Sequence, residues 1–258
     1  MGGIGMVSYL YFDLHSIAIK QYTVTINNLP KDFEGFTILH LTDLHAKEYG
    51  YDQNRLLGLI NSQKFDMVAL TGDFIDKNNI NGEPLLSLVR GLISKPIFFV
   101  PGNHEWSTEF GIRASLDNYG VRVLENKKYK YSKGNSHIWI TGVDDPYLRR
   151  DKLDEALYGI SDSQPKVLLA HAPNIFPSAA KQDVGLVLVG HTHGGQVRLP
   201  IVGAIVAPGQ GLFPKYDYGL FTSGSTKMII NGGLGESVLP IRFYNRPEIV
   251  LVKLVSSG

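Results

Sequence analysis

A chain of 258 residues with 43% hydrophobic content can bury the core of one large α/β domain, so one catalytic domain is expected. Its 25 Lys and Arg stand against 24 Asp and Glu, which excludes the strongly basic footprint of a dedicated nucleic-acid binder. The absence of cysteine excludes disulfides, thiolate nucleophiles and thiolate metal sites, so any metal must be held by nitrogen and oxygen.

Residues 1–12 are uncharged, but Asp13 and His15 interrupt them well before the roughly 20 apolar residues that a membrane span requires. The stretch lacks the basic start of a signal peptide, and Met6 stands where a myristoylation signal needs Ser or Thr. Residues 1–30 are therefore set apart as an N-terminal segment, read as a first strand or as the remnant of a membrane anchor, with the catalytic domain over 31–258. Tyr22, Val24 and Ile26 alternate with polar neighbours as a half-buried strand does. The runs FTILHL, DMVAL, IFFV, HIWIT, KVLLA and GLVLV follow as buried strands. Asp52 is placed to cap a helix over 53–63; a second helix over 108–119 ends at Gly120, and a third covers 151–158. QVRLP, TKMII and EIVLVKLV add later strands between Gly- and Pro-rich turns. The sum is an α/β fold with mixed sheets.

Unusual residues fall where these strands end. FTILHL runs into Asp43-Leu44-His45, DMVAL into Gly72-Asp73, IFFV into Gly102-Asn103-His104-Glu105, KVLLA into His171, and GLVLV into Gly190-His191-Thr192-His193. Loops that leave one sheet edge converge in space, and α/β folds place their ligand sites there. Asp43 and His45, one residue apart, can offer a carboxylate oxygen and an imidazole nitrogen to one cation. The carboxylate of Asp73 can bridge two cations, Asn103 offers a neutral carbonyl, and His171, His191 and His193 add nitrogen donors. Each pair alone reads as ordinary turn chemistry; five such loops together do not. His15, His40 and His137 lie outside these loops and are assigned no chemistry.

This ordered series of five blocks resembles the calcineurin-like metallophosphoesterase family. The resemblance implies a four-layer αββα sandwich of two mixed sheets flanked by helices, with two metal ions at the sheet edge. It also implies that Asp43, His45 and His193 hold one ion, that Asn103, His171 and His191 hold the other, and that Asp73 bridges them. Paired ions about 3.5–4 Å apart clamp a phosphoryl group and lower the pKa of a shared water, giving a hydroxide nucleophile near neutral pH. His104, not consumed as a ligand, is expected to contact the phosphoryl oxygen or protonate the leaving alkoxide. The resemblance to the family's protein phosphatases implies that Asp76 of GDFID pairs with it, the alternative being a solvated loop residue. Manganese is the favoured cofactor; imidazole-rich sites also accept iron, zinc, cobalt or nickel, and suit magnesium poorly.

Beyond the ligands, His193-Gly-Gly-Gln196, Lys215-Tyr-Asp-Tyr-Gly219, Asn231-Gly-Gly-Leu-Gly235 and the segment from Pro240 to Ile249 resemble one bacterial branch of that family. The branch includes membrane-associated phosphodiesterases and UDP-diacylglucosamine pyrophosphatases. The resemblance implies a small-molecule or lipid-linked phosphodiester or pyrophosphate as substrate, and association with the membrane or cell envelope; without it, a cytoplasmic location is expected. The alternative is a phosphomonoesterase, including a phosphoprotein phosphatase, built on the same metals. Arg198 and Lys215 are noted as charges for a second phosphate, and Trp106 as an apolar wall or a packing residue.

Overall fold

The alternation in the buried runs determines which face each side chain takes, and the computed structural model shows the result for residues 5, 12–14, 16–107, 111–195, 197–199, 201, 203–236 and 242–257. The strands are β1 (Ala18–Ile26), β2 (Thr37–Leu41), β3 (Met67–Thr71), β4 (Ile97–Val100), β5 (Arg122–Val123), β6 (Lys127–Lys133), β7 (Ser136–Gly142), β8 (Lys166–Leu169) and β9 (Leu186–Val189). After them come the short pairs β10 (Arg198–Leu199) with β11 (Gly203–Ala204) and β12 (Val206–Ala207) with β13 (Gly211–Leu212), then β14 (Gly219–Ser223), β15 (Thr226–Ile230) and β16 (Glu248–Ser256). Among the described residues they form two six-stranded sheets, ordered β1-β16-β2-β3-β4-β5 and β14-β15-β9-β8-β7-β6. Both are mixed: β2 to β5 run parallel beside an antiparallel β16, and β7, β8, β9 and β15 run parallel between antiparallel β6 and β14.

The strands bury both faces, as central strands of helix-covered parallel sheets do. Ile38, Met67, Ala69 and Phe98 of the first sheet meet Ile140, Val167, Leu188 and Ile229 of the second in one core. Their alternating neighbours Leu39, Val68, Leu70 and Phe99 turn the other way, under the helices Asn54–Asn61 and Glu83–Leu92. On the far side Leu168, Val187, Val189 and Met228 pack beneath Leu153–Leu157 and Phe176–Lys181. The result is the helix–sheet–sheet–helix sandwich that the family resemblance implied. Phe98 is fully buried between the sheets, so Phe98→Ala is expected to cost about 3–5 kcal/mol in denaturant titration, with an unchanged slope.

Several readings need correction. The helix over 53–63 is shorter, Asn54–Asn61, and Asp52 does not cap it: Asp52 lies in the left-handed region (φ 49°) and its carboxylate accepts from Ser87 Oγ at 3.2 Å. The second and third helices are Ile112–Asn118 and Leu153–Leu157, while residues 108–110 lie outside the described residues. Helix Glu83–Leu92 was not read from the sequence. The reading of residues 1–12 falls outside the described residues apart from Gly5 and Phe12, as do His15, Gln196, Pro240 and Ile241. β1 pairs with β16 along its whole length, which makes residues 18–26 the edge of the first sheet. No helix among the described residues is long and apolar enough to cross a membrane.

Candidate metal centre

Beyond the strands, the backbone keeps the ligand loops in register. Asp43 N–H donates to Gly72 O, His45 N–H to Asp73 O and Ala46 N–H to Phe74 O, so residues 43–46 stay zipped along 72–74. Gly190 N–H does the same to His171 O on the second sheet. Gly72 is needed for this approach: at φ 84°, a Cβ there would lie 2.5 Å from Gly102 N and 2.7 Å from His171 Nδ1. Gly72→Ala is therefore expected to expel bound metal and lower stability by more than about 1 kcal/mol; wild-type metal content in that variant would contradict it.

Five proposed ligands occupy left-handed backbone: Asp43 (φ 51°), His45 (φ 50°), Asp73 (φ 55°), His191 (φ 68°) and His193 (φ 49°). L side chains there cost free energy, and strain concentrated on one set of side chains points to a functional site. All of these except the partly buried His45 are at most 6% exposed.

The side chains meet in two adjoining triads. In one, His45 Nε2 lies 3.0 Å from His193 Nε2 and 4.0 Å from Asp43 Oδ1, with His193 Nε2 3.4 Å from that same oxygen. In the other, Asp73 Oδ2 lies 3.1 Å from His171 Nε2, which is itself 3.1 Å from His191 Nδ1. Asp73 Oδ2 also lies 4.0 Å from His45 Nε2 and 3.9 Å from His104 Nε2, between the triads. Each triad converges within 4.8 Å, close enough for one cation to touch all three groups. All seven proposed ligands thus line one cluster or, for Asn103, the turn beside it, with Asn103 Oδ1 buried and without a hydrogen-bond partner.

The electrostatics fit a cation. Burial pushes the Asp43 carboxyl up, and it drives the imidazoles of His191 (to about 3) and His193 down, leaving both neutral with lone pairs to give. Burial also works against charge on Asp73 and His171, but their 3.1 Å contact outweighs it, holding the Asp73 carboxyl well below and the His171 imidazole well above the usual range. Without a cation the pair relies on a proton to offset the carboxylate. A divalent ion can take that proton's place at His171 Nε2, while Nδ1–H keeps its bond to Thr71 O at 2.8 Å.

Around the cluster the remaining groups orient these donors. Asp76 Oδ2 accepts from His45 Nδ1 at 3.1 Å, which turns the other ring nitrogen inward. The same oxygen lies 3.3 Å from His104 Nδ1, a contact that becomes an ion pair only when that imidazole is protonated, so the hydrogen bond of Asp76 goes to His45. Lys77 N–H donates to His104 Nδ1 at 3.1 Å; neutral His104 therefore carries its proton on Nε2, facing Asp73.

Glu105, quoted within a motif but given no task, is the main residue the sequence reading missed. Its buried carboxylate accepts from the N–H groups of Asp73, Phe74 and Gly102 at 2.7–2.8 Å, joining the second and third ligand loops. Trp106 is a packing residue: its ring lies between the guanidiniums of Arg113 and Arg150 and its N–H donates to Asp144. Arg198 is engaged through Nη1 by Asp217 at 2.9 Å and by Gly194 O, so its charge is already offset. His40 is the core histidine expected, bonded to Thr71 Oγ1 at 2.8 Å.

Residues 36–195 match the family model described as calcineurin-like phosphoesterase. The chain is 32% identical to the Bacillus subtilis (strain 168) metallophosphoesterase YkuE, across 100% of this chain and 91% of that protein. A metallophosphoesterase of Aquifex aeolicus (strain VF5) is 30% identical across 97% of both chains. Among solved structures, the sulfate thiohydrolase SoxB of Thermus thermophilus superposes with a TM-score of 0.51 at 15% identity, over 80% of this chain and 53% of SoxB. That likeness concerns the fold alone.

Proposed function

This chain belongs to the calcineurin-like phosphoesterase family and is a phosphoric ester hydrolase that uses divalent metal, and from that premise we propose that it hydrolyses a phosphodiester or pyrophosphate with two metal ions. Asp43, His45 and His193 would hold one ion, and Asn103, His171 and His191 the other. The observation that carries this reading is Asp73 Oδ2, standing 4.0 Å from His45 Nε2 and 3.1 Å from His171 Nε2, where one carboxylate serves both triads. Bound divalent ions supply Lewis-acid activation of water and offset the charge that grows on the phosphoryl group. Manganese is proposed as the working metal because both donor sets mix imidazole with oxygen.

The chain's own residues then divide the work. Asp76 sets the tautomer of His45, and the His171 ring is set by Thr71 O. His104, with its proton on Nε2, donates to the phosphoryl oxygen or to the leaving oxygen. His104→Ala is expected to leave metal content unchanged and to lower turnover by about 10²–10⁴-fold. The loss should be larger for an alkoxide leaving group than for nitrophenolate, which needs no proton. Loss of metal from this variant would overturn the assignment.

The diester preference extends the resemblance of the segments around Asn231 and Arg242 to the membrane-associated, pyrophosphatase-containing branch. It is tested by comparing bis(p-nitrophenyl) phosphate with p-nitrophenyl phosphate on the manganese-loaded protein. A higher kcat/KM for the diester is expected; preference for the monoester would favour the phosphomonoesterase reading. We further propose peripheral association with the envelope membrane, supported by the exposed Ile201, Leu212 and Phe213 of the β10–β13 region. Cosedimentation with anionic vesicles should capture the chain, and no capture at low salt would refute this.

A further inference from the structure

Beside His191 the surface opens into a cavity of about 550 Å³, whose walls come from segments more than 50 residues apart in the chain. One wall is the turn at 145–149. Buried Asp145 holds it by accepting from the N–H groups of Tyr147 and Leu148, and Asn174 Nδ2 donates to Pro146 O at 2.9 Å. The Tyr147 ring lies over the His191 imidazole, with centroids 4.6 Å apart. The opposite wall is the turn at 208–210 and the segment that follows it. Gln210 clasps the Tyr216 backbone through both ends of its amide, at 2.6 and 3.0 Å, and Gly209 packs on the Tyr147 ring, where a Cβ would lie 3.0 Å away.

Two cations line this cavity, Arg149 and Lys215, and among the described residues neither makes an ion pair. Arg149 stands at φ 59°, a backbone conformation costly for an arginine. His191 Nε2, on a side chain that is 6% exposed, has no hydrogen-bond partner. Two neighbouring cations are offset by carboxylates, Arg150 by Asp144 and Arg198 by Asp217. Arg149 and Lys215, the latter over the Tyr216 ring, thus place two exposed positive charges on a cavity that reaches the metal centre through His191.

We propose that this cavity binds the part of the substrate that leaves, and that Arg149 and Lys215 select a second phosphoryl group bonded to the reacting one, with a ring or other apolar group against Tyr147 and Tyr216. The substrate class is then a pyrophosphate-bridged diester. This rests on the proposed phosphodiesterase reading and narrows it. In the reaction a water oxygen bonds to one phosphorus, the bridging bond from that phosphorus to oxygen breaks, and two monophosphate esters leave with the water's hydrogens. Negative charge grows on the bridging oxygen and the second phosphate, which the two cations would offset.

The test compares diadenosine diphosphate with bis(p-nitrophenyl) phosphate on the manganese-loaded chain, wild type and the R149A/K215A double variant. The double variant should lose about tenfold or more in kcat/KM on the pyrophosphate, through KM, and less than about twofold on the nitrophenyl diester. Raising salt should increase the wild-type KM for the pyrophosphate and leave that of the double variant nearly flat. Arg149→Lys should restore part of the loss, since charge is kept. Equal losses on both substrates, no loss on either, or a wild type that cleaves the nitrophenyl diester but not the pyrophosphate would each overturn the proposal. A wild type that cleaves neither would instead sink the phosphodiesterase reading beneath it.

Discussion

Asp73→Asn is expected to lower turnover by about 10³-fold or more, equivalent to about 4 kcal/mol of transition-state stabilisation, and to lower bound metal in the same preparation. The reason is position. One carboxylate oxygen serves both triads, and the other accepts from the backbone N–H of His104 at 2.9 Å, so the side chain ties metal binding to the position of that residue. An amide keeps the shape and removes the charge, which leaves His171 without the carboxylate that holds its proton. The variant should fold, since Asp73 is held through its backbone by Glu105, and circular dichroism should match the wild type. Full metal content with wild-type turnover would refute the bridging role.

The second large effect lies outside the ligand set. Glu105→Ala leaves the N–H groups of Asp73, Phe74 and Gly102 buried without an acceptor, at about 1–3 kcal/mol each. A loss of at least about 3 kcal/mol in unfolding free energy is expected, together with metal release, because the GDF and GNH loops part. Glu105→Gln should fall between: its carbonyl still accepts, but its NH₂ group faces a backbone donor. If Glu105→Ala unfolded at the wild-type denaturant midpoint, the tie between the loops would be energetically empty.

Much of this centre is legible in the sequence because strand ends are legible. Buried apolar runs with β-branched residues announce β2, β3, β4, β8 and β9, and the polar residues just past them have nowhere to go but the sheet edge. Glu105 was missed because a glutamate in a tight turn looks like a solvated residue; its burial appears only once two loops close around it. The left-handed backbone of Asp43 and His191 leaves no mark either, since neither is glycine. Helix Glu83–Leu92 did carry signals, Pro84 in its first turn and Leu85, Leu88, Val89 and Leu92 at helical spacing, but they follow an asparagine-rich loop that masks its start. Strand β6 hides for the opposite reason: KKYKYSK buries only one side of Tyr129 and Tyr131 and gives its lysines to water. The pairing of Arg149 with Lys215 was beyond reach, because only the fold brings the turns at 145–149 and 208–210 together.

The claim on which the rest depends is that seven side chains from five loops hold two catalytic ions. It is tested most directly by stripping the chain with chelator and titrating manganese back, while following bound metal by mass spectrometry and hydrolysis of bis(p-nitrophenyl) phosphate together. The account predicts no turnover without metal, and activity that rises to a plateau at two ions per chain. Undiminished hydrolysis by the metal-free chain, or two bound ions with no hydrolysis of any phosphoester, would contradict it.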